Sequence, residues 1–122
     1  MTANLYGIPT CDSVRKARKW LTDNDIDHQF IDVRENTPPK SQIDHWVTSL
    51  GAAKMVNKRS TTWKNMSDAD RSEAETGDTT AILMANPTLI KRPVLEHGDV
   101  LDVGFNVDAY TQYFQQSPTF RR

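Results

Sequence analysis

Residues 5–13 of the chain read Leu5-Tyr6-Gly7-Ile8-Pro9-Thr10-Cys11-Asp12-Ser13. The apolar start of this stretch is typical of a buried strand, and a Gly/Pro turn follows it. Residues 13–24 have helical spacing, so Cys11, the only cysteine in the chain, lies between a first strand and a first helix. Backbone N–H groups and the helix dipole at such a position favour the thiolate, which is the nucleophilic form of cysteine. We therefore predict that Cys11 is a nucleophile.

A lone cysteine is more often a small buried hydrophobe without a chemical role. Two features argue against that interpretation here. The neighbours of Cys11 are the polar residues Thr10, Asp12 and Ser13, and a Gly/Pro turn presents the thiol. Deep burial does not suit such neighbours, so the chemical interpretation is favoured.

Composition narrows the classes of protein to consider. The chain has 122 residues, 37% of them apolar, and a formal net charge of −1. These values predict one domain and give no reason to expect a nucleic-acid or membrane partner, and a monomer is the default. The first residues lack the basic and apolar regions of a secretory signal, and one cysteine cannot form an internal disulfide, so we expect a cytoplasmic protein. One cysteine and three scattered histidines predict no metal site.

Hydrophobic periodicity and turn residues predict the order of elements. After the strand at 4–6 and the helix at 13–24 comes a strand at 28–33. A helical stretch follows, with a helix capped by Ser41 and ended by Gly51, a short helix at 55–56, a polar loop at 57–64, a helix begun by Ser67 and a helix at 79–85. A hairpin turning at Gly98-Asp99 and a helix marked by Val107, Tyr110 and Phe114 complete the order.

This order predicts an α/β fold. The first strand–helix–strand unit should place two parallel strands side by side, with a right-handed crossover. The hairpin then completes a mixed four-stranded sheet. The arrangement is thioredoxin-like, with a helical insertion at about residues 40–86 between its two halves. We expect a single domain over residues 1–122 with a frayed tail at 117–122.

The residue three positions after Cys11 is Val14, so the chain has no Cys-x-x-Cys pair. A covalent intermediate on Cys11 must therefore be resolved by an external thiol. Glutathione is the obvious cytosolic candidate, acting as a co-substrate and not as a bound cofactor.

Three arginines are candidates for the surroundings of the thiol. Arg92 precedes Pro93 just before a predicted strand, where thioredoxin-like folds often have a cis proline beside the active thiol, and its planar guanidinium suits carboxylates and oxyanions. Arg59 lies in the polar loop, which could close over the thiol, and Trp63 could pack that loop down or flank a bound peptide. Arg15 lies one helical turn beyond Cys11 and is equally typical of a solvated helix residue.

Four segments of the chain together resemble the arsenate reductase (ArsC)/Spx family, and most closely its YffB-like branch. They are residues 5–12, residues 58–64 (Lys-Arg-Ser-Thr-Thr-Trp-Lys), residues 86–93 (Asn-Pro-Thr-Leu-Ile-Lys-Arg-Pro) and residues 103–105 (Val-Gly-Phe). The resemblance implies a thioredoxin-like fold, Cys11 as the nucleophile, Arg59 and Arg92 as oxyanion-binding arginines and Pro93 as the cis proline. The candidate substrate-binding residues are Arg92, Arg59, Arg15, Pro93 and Thr10.

The departures from the family narrow the expected function. Similar arsenate reductases carry a histidine in place of Gly7 and an arginine in place of Phe105, and Spx regulators carry a second cysteine in place of Val14. We therefore expect a glutathione-dependent thiol–disulfide reductase, with glutaredoxin or a protein thiol as a further partner. The alternatives are an arsenate reductase coupled to glutaredoxin and glutathione, and a non-enzymatic, Spx-like regulator that binds RNA polymerase.

Overall fold

The computed structural model of the protein describes residues 2–114. Four strands, β1 (Ala3–Gly7), β2 (His28–Asp32), β3 (Val94–His97) and β4 (Val100–Val103), form one sheet in the order β2-β1-β3-β4. β1 and β2 pair in parallel, whereas β3 is antiparallel to both β1 and β4. The mixed four-stranded sheet is confirmed.

The helices are α1 (Asp12–Asp23), α2 (Lys40–Leu50), α3 (Ala52–Met55), α4 (Thr61–Lys64), α5 (Asp68–Thr76), α6 (Thr79–Ala85) and α7 (Val107–Phe114). A 3-10 turn at Pro87–Leu89 links α6 to β3. Helices α2 to α6 all lie between β2 and β3 in the chain, which confirms the helical insertion between the two halves of the fold.

The core consists of two apolar clusters, one on each face of the sheet. Because successive strand residues point to opposite faces, Leu5 and Leu95 lie in one cluster while Tyr6 and Val94 lie in the other. The first cluster includes residues of α1 and α7, such as Leu21 and Tyr110, and the second includes residues of the insertion, such as Trp46. The sheet is therefore a middle layer, with α1 and α7 on one side and the insertion on the other.

The structure corrects three predicted features of the insertion. The short helix predicted at 55–56 is α3 at Ala52–Met55, and Val56 is extended and bridges to Ile90. Ser41 does not cap α2: the helix begins at Lys40 and Pro39 is its N-cap residue. The carbonyl oxygen of Pro39 accepts from the N–H groups of Gln42 at 3.0 Å and Ile43 at 3.1 Å, so the first turn forms before Ser41. The predicted loop at 57–64 contains the short helix α4, because the Ser60 hydroxyl accepts a hydrogen bond from the Trp63 N–H at 3.1 Å.

The predicted helix at the end of the described chain is present, but one of its three marker residues is exposed. Val107 is not part of the buried face of α7, since 51% of it is exposed, whereas Tyr110 and Phe114 are buried. The predicted frayed tail at 117–122 lies outside the described residues.

The described part of the chain contains no helix that combines the length and the apolar character needed to cross a bilayer. Within residues 2–114, no three His, Cys, Asp or Glu side chains are grouped so that they could hold a metal ion.

Candidate active site

Cys11 is the N-cap residue of α1. Its backbone N–H donates to the Ile8 carbonyl at 3.0 Å, and its carbonyl accepts from the Arg15 N–H at 3.0 Å. The side chain makes no capping hydrogen bond to the helix, and the residue is partly exposed with a free thiol. Cys11 therefore lies at the start of the helix and is partly accessible to solvent.

The Arg92–Pro93 peptide bond is cis, as predicted, and Pro93 is buried. The Pro93 carbonyl accepts a hydrogen bond from the Gly104 N–H at 2.8 Å. Tyr6 pairs with Val94, so Pro93 lies beside the carboxyl end of β1, where the Cys11 turn leaves the sheet. The thiol and the cis proline therefore share one end of the sheet.

Backbone carbonyls hold the Arg92 guanidinium. Its Nη1 donates to the Thr88 carbonyl at 2.8 Å and to the Ile90 carbonyl at 3.1 Å. Its Nε is buried and has no hydrogen-bond partner among residues 2–114. Arg92 thus presents a fixed cation with donors left over, and such a group binds carboxylates and oxyanions well.

The segment that carries Arg59 lies along the segment that precedes Arg92. The Asn57 N–H donates to the Leu89 carbonyl at 2.8 Å, and the Lys91 N–H donates to the Met55 carbonyl at 2.7 Å. The Arg59 side chain is exposed, while its N–H donates to the Asn57 side-chain oxygen at 3.1 Å. The fold therefore brings the two arginine-bearing segments together, although 33 positions of sequence separate the arginines.

Trp63 packs the Arg59 segment down. Two cations lie over its ring, with Lys58 Nζ at 5.6 Å and Arg71 Cζ at 5.5 Å from the ring centroid. The Arg71 Nε also donates to the Trp63 carbonyl at 3.0 Å. Of the two roles open to Trp63, packing is the one that the structure displays.

Arg15 and Thr10 are both exposed. Arg15 approaches the Asp12 carboxylate at 4.0 Å, and Lys16 approaches the same carboxylate at 3.3 Å. The charge of Arg15 is therefore shared with an acidic neighbour on its own helix, which favours the solvated-helix interpretation of this residue.

Sequence reasoning missed Thr88 and Ile90 as parts of the site. They act through backbone carbonyls, which every residue has, so no side-chain signal could have revealed them.

Positions 7 and 105 hold residues that differ from those of similar arsenate reductases, and the packing explains both. A Cβ atom on Gly7 would lie 2.6 Å from Cγ2 of Val14, so position 7 has no room for a side chain beside this valine. Phe105 packs edge-on against Tyr110, with ring centroids 4.8 Å apart. Position 105 therefore contributes to the core cluster of α7 and adds no cation to the site.

The sequence and the fold are similar to those of several known proteins. An uncharacterized protein of Haemophilus influenzae is 40% identical over 111 residues, which cover 90% of this chain and 96% of the relative. The global transcriptional regulator Spx of Streptococcus pyogenes is 27% identical over 85% of this chain and 78% of the regulator. The solved structure of a YffB protein superimposes with a TM-score of 0.84 and 32% identity, covering 90% of this chain and 96% of that structure.

The family comparison covers almost the whole described chain, including Cys11, Arg59, Arg92 and Pro93. The model of the ArsC family matches residues 6–113. This match, which spans most of the chain, shows that the chain belongs to the ArsC family.

Proposed function

We propose that the protein is a glutathione-dependent thiol–disulfide reductase that uses Cys11 as its single nucleophile. The observation that carries this proposal is the half-buried Arg92 guanidinium beside the cis Arg92–Pro93 bond, which the Thr88 and Ile90 carbonyls hold through Nη1. A guanidinium held in this way can bind a ligand carboxylate through charge-assisted hydrogen bonds. Glutathione has two carboxylates, and Arg59 offers a second cation on the adjoining segment.

The reaction needs one protein thiol and two glutathione molecules. The Cys11 thiolate attacks the glutathionyl sulfur of a mixed disulfide between glutathione and a substrate thiol. The disulfide bond breaks, the substrate leaves as a thiolate that takes a proton from water, and Cys11 becomes bonded to glutathione. The thiolate of a second glutathione attacks the glutathionyl sulfur, releasing glutathione disulfide and the Cys11 thiolate. The substrate sulfur is reduced, and the disulfide passes to the two glutathiones.

The packing around Val14 supports an external resolving thiol. Val14 is fully buried against Gly7, at the position where a dithiol enzyme would have its second cysteine. Cys11 is also the only cysteine in the sequence. The intermediate on Cys11 can therefore be resolved only by a thiol from outside the chain.

Two other functions are favoured by particular observations. Membership of the ArsC family favours arsenate reduction, completed by glutaredoxin and glutathione. Against it, position 7 has no room for a histidine beside Val14, and position 105 holds a packed phenylalanine. The similarity to a global transcriptional regulator favours a regulator that binds RNA polymerase without using the thiol.

The test is turnover of a glutathione mixed disulfide of a small thiol, followed by the formation of glutathione disulfide. Cys11→Ser should abolish turnover. Arg92→Met should raise the KM for the mixed disulfide roughly tenfold, because a hydrogen bond to a charged group contributes about 1.5–3 kcal/mol. Lys91→Met is the matched control, since Lys91 is the exposed neighbouring cation, and its KM should equal that of the wild type.

Full turnover by Cys11→Ser would disprove the proposal. Arsenate-dependent oxidation of glutathione in the absence of mixed-disulfide turnover would favour an arsenate reductase. Stoichiometric capture of RNA polymerase that Cys11→Ser leaves unchanged, with no turnover by the wild type, would favour the regulator.

A further inference from the structure

A pair of threonine hydroxyls joins the two arginine-bearing segments. The Oγ1 atoms of Thr62 and Thr88 lie 2.6 Å apart, and both residues are half-buried. Across the part of the chain that the structure describes, this is the only side-chain hydrogen bond between residues 57–64 and residues 88–92. Backbone contacts also join the segments, through the hydrogen bonds from Asn57 to Leu89 and from Lys91 to Met55 and through the bridge between Val56 and Ile90.

On one side, the hydroxyl pair restrains the residue that holds Arg92. The Thr88 carbonyl accepts from Arg92 Nη1 at 2.8 Å, the shorter of the two bonds to this guanidinium. Any shift of Thr88 therefore moves an acceptor that sets the direction of the guanidinium. The second acceptor is the carbonyl of Ile90, the residue that forms the isolated bridge with Val56.

On the other side, Thr62 belongs to a segment, residues 57–63, whose own hydrogen bonds hold its shape. The Ser60 hydroxyl donates to the Asn57 carbonyl at 2.8 Å and accepts from the Trp63 N–H at 3.1 Å. The Asn57 side chain accepts from the Arg59 N–H at 3.1 Å. Fixing Thr62 therefore also fixes the backbone position from which the exposed Arg59 side chain extends.

We propose that Thr62 and Thr88 are positioning residues for the anion site, because their hydroxyl pair ties the Arg59 segment to the residue whose carbonyl holds Arg92. This inference rests on the proposed function. It predicts that loss of either hydroxyl weakens the binding of the glutathione carboxylates and leaves the thiol chemistry unchanged.

Thr62→Val and Thr88→Val each remove one hydroxyl at nearly constant volume. Each should raise the KM for the glutathione mixed disulfide about fivefold while kcat stays within about twofold, as expected for one partly buried hydrogen bond that acts on binding. Thr88→Ser retains the hydroxyl and should restore the wild-type KM. The double variant should show the KM of either single variant, because both substitutions break the same bond.

Two matched controls separate positioning from general destabilisation. Thr76→Val removes a hydroxyl that bonds only the Ser72 carbonyl within α5, so KM should not change. With the disulfide of 2-mercaptoethanol, which has no carboxylate, Thr62→Val should change KM by less than about twofold.

A readout that needs no turnover is hydrogen exchange of the Arg92 Nε–H, followed by NMR on the free protein. Thr88→Val should speed this exchange about fivefold. The reason is that the local motion that exposes the Nε–H to water no longer has to break the hydrogen bond between Thr62 and Thr88. If the wild type turns over no mixed disulfide, the proposed function fails while the exchange still tests the positioning role. Unchanged exchange, an unchanged KM in both single variants, or multiplied KM effects in the double variant would each overturn the inference.

Discussion

A Cβ atom on Gly7 would lie 2.6 Å from Cγ2 and 3.3 Å from Cγ1 of Val14. Gly7 ends β1, and the fully buried Val14 lies in the first turn of α1, so the two residues face each other across the Cys11 turn. Glycine is used where a neighbouring group approaches the backbone this closely. Close packing of Gly7 against Val14 thus fixes the turn that carries Cys11, and this packing requires a glycine at position 7 because Val14 fills the space of a side chain.

This pairing predicts strong coupling between positions 7 and 14. Gly7→Ala should lower the free energy of unfolding by about 1–3 kcal/mol, the usual cost of overpacking a buried site. In a Val14→Ala background the same change should cost much less, because the two methyl groups that it meets are gone. Urea unfolding of the four proteins in this cycle measures the coupling, and additive costs would contradict it.

The Glu96 carboxylate joins the sheet to the insertion. It accepts hydrogen bonds from the Trp46 Nε1 at 2.7 Å, the Gln42 Nε2 at 3.2 Å and the Tyr6 hydroxyl at 3.1 Å. Gln42 Nε2 also donates to the Tyr6 hydroxyl at 2.8 Å, so Glu96→Ala would remove the acceptor of the Trp46 Nε1–H and of the Tyr6 O–H. It should lower the free energy of unfolding by roughly 1–3 kcal/mol. Urea unfolding checks this, with the exposed Glu35→Ala as the control that should change little.

Stability should depend on pH through Asp32. Hydrogen bonds from Arg34, including one from its Nη2 at 3.1 Å, hold the pKa of the buried Asp32 carboxyl below its usual range. Because the folded pKa is depressed, this stabilisation is present above the unfolded value of about 3.9 and is lost as the pH falls through the folded value. Asp32→Asn should therefore lower the urea midpoint at neutral pH, and the gap to the wild type should close on acidification. A constant gap would contradict this, and Asp99→Asn is an exposed control.

Arg71 caps the carboxyl end of α4. Its Nε donates to the Trp63 carbonyl at 3.0 Å and its Nη2 donates to the Lys64 carbonyl at 2.8 Å. Lysine replaces the planar fork of two separate nitrogens with a single ammonium nitrogen, which matches the two carbonyls less well, so Arg71→Lys should cost about 1 kcal/mol. Hydrogen exchange should become faster at residues 61–65 while that of α1 stays unchanged. Equal acceleration in both helices would point to global destabilisation instead.

Arg15 should contribute little to turnover. Its guanidinium is exposed and lies 4.0 Å from the Asp12 carboxylate, and exposed pairs of this kind contribute about 0–1 kcal/mol. Arg15→Gln should therefore change kcat/KM for the mixed disulfide by less than about fivefold, well below the effect of Arg92→Met. A loss as large as that of Arg92→Met would place Arg15 in the binding site.

Much of the fold follows from local sequence signals. The buried residues Val14, Ala17 and Leu21 recur at helical spacing in α1, and the Gly98-Asp99 turn separates β3 from β4 as predicted. Ser67 begins α5, where its hydroxyl accepts from the Asp70 N–H at 3.1 Å. These elements were predictable because each depends on residues a few positions apart.

The errors lie where two local signals competed. Ser41 is a good capping residue, but Pro39 already provides the extended N-cap geometry, with φ −66° and ψ 161°. The polar composition of residues 57–64 indicated a loop, whereas the Ser60 cap and the Trp63 packing make part of it helical. In both cases, the outcome depended on a hydrogen bond or a contact that composition does not specify.

The sequence by itself determined the strand and helix order, the place of Cys11 at the start of a helix, and the absence of a second cysteine. These follow from spacing along the chain and from the cysteine count. Only the tertiary structure decided which groups surround Arg92, because the Thr88 and Ile90 carbonyls carry no side-chain signal. It alone decided that Thr62 meets Thr88 and that Val14 excludes a side chain at Gly7, because contacts through space depend on how separate segments pack.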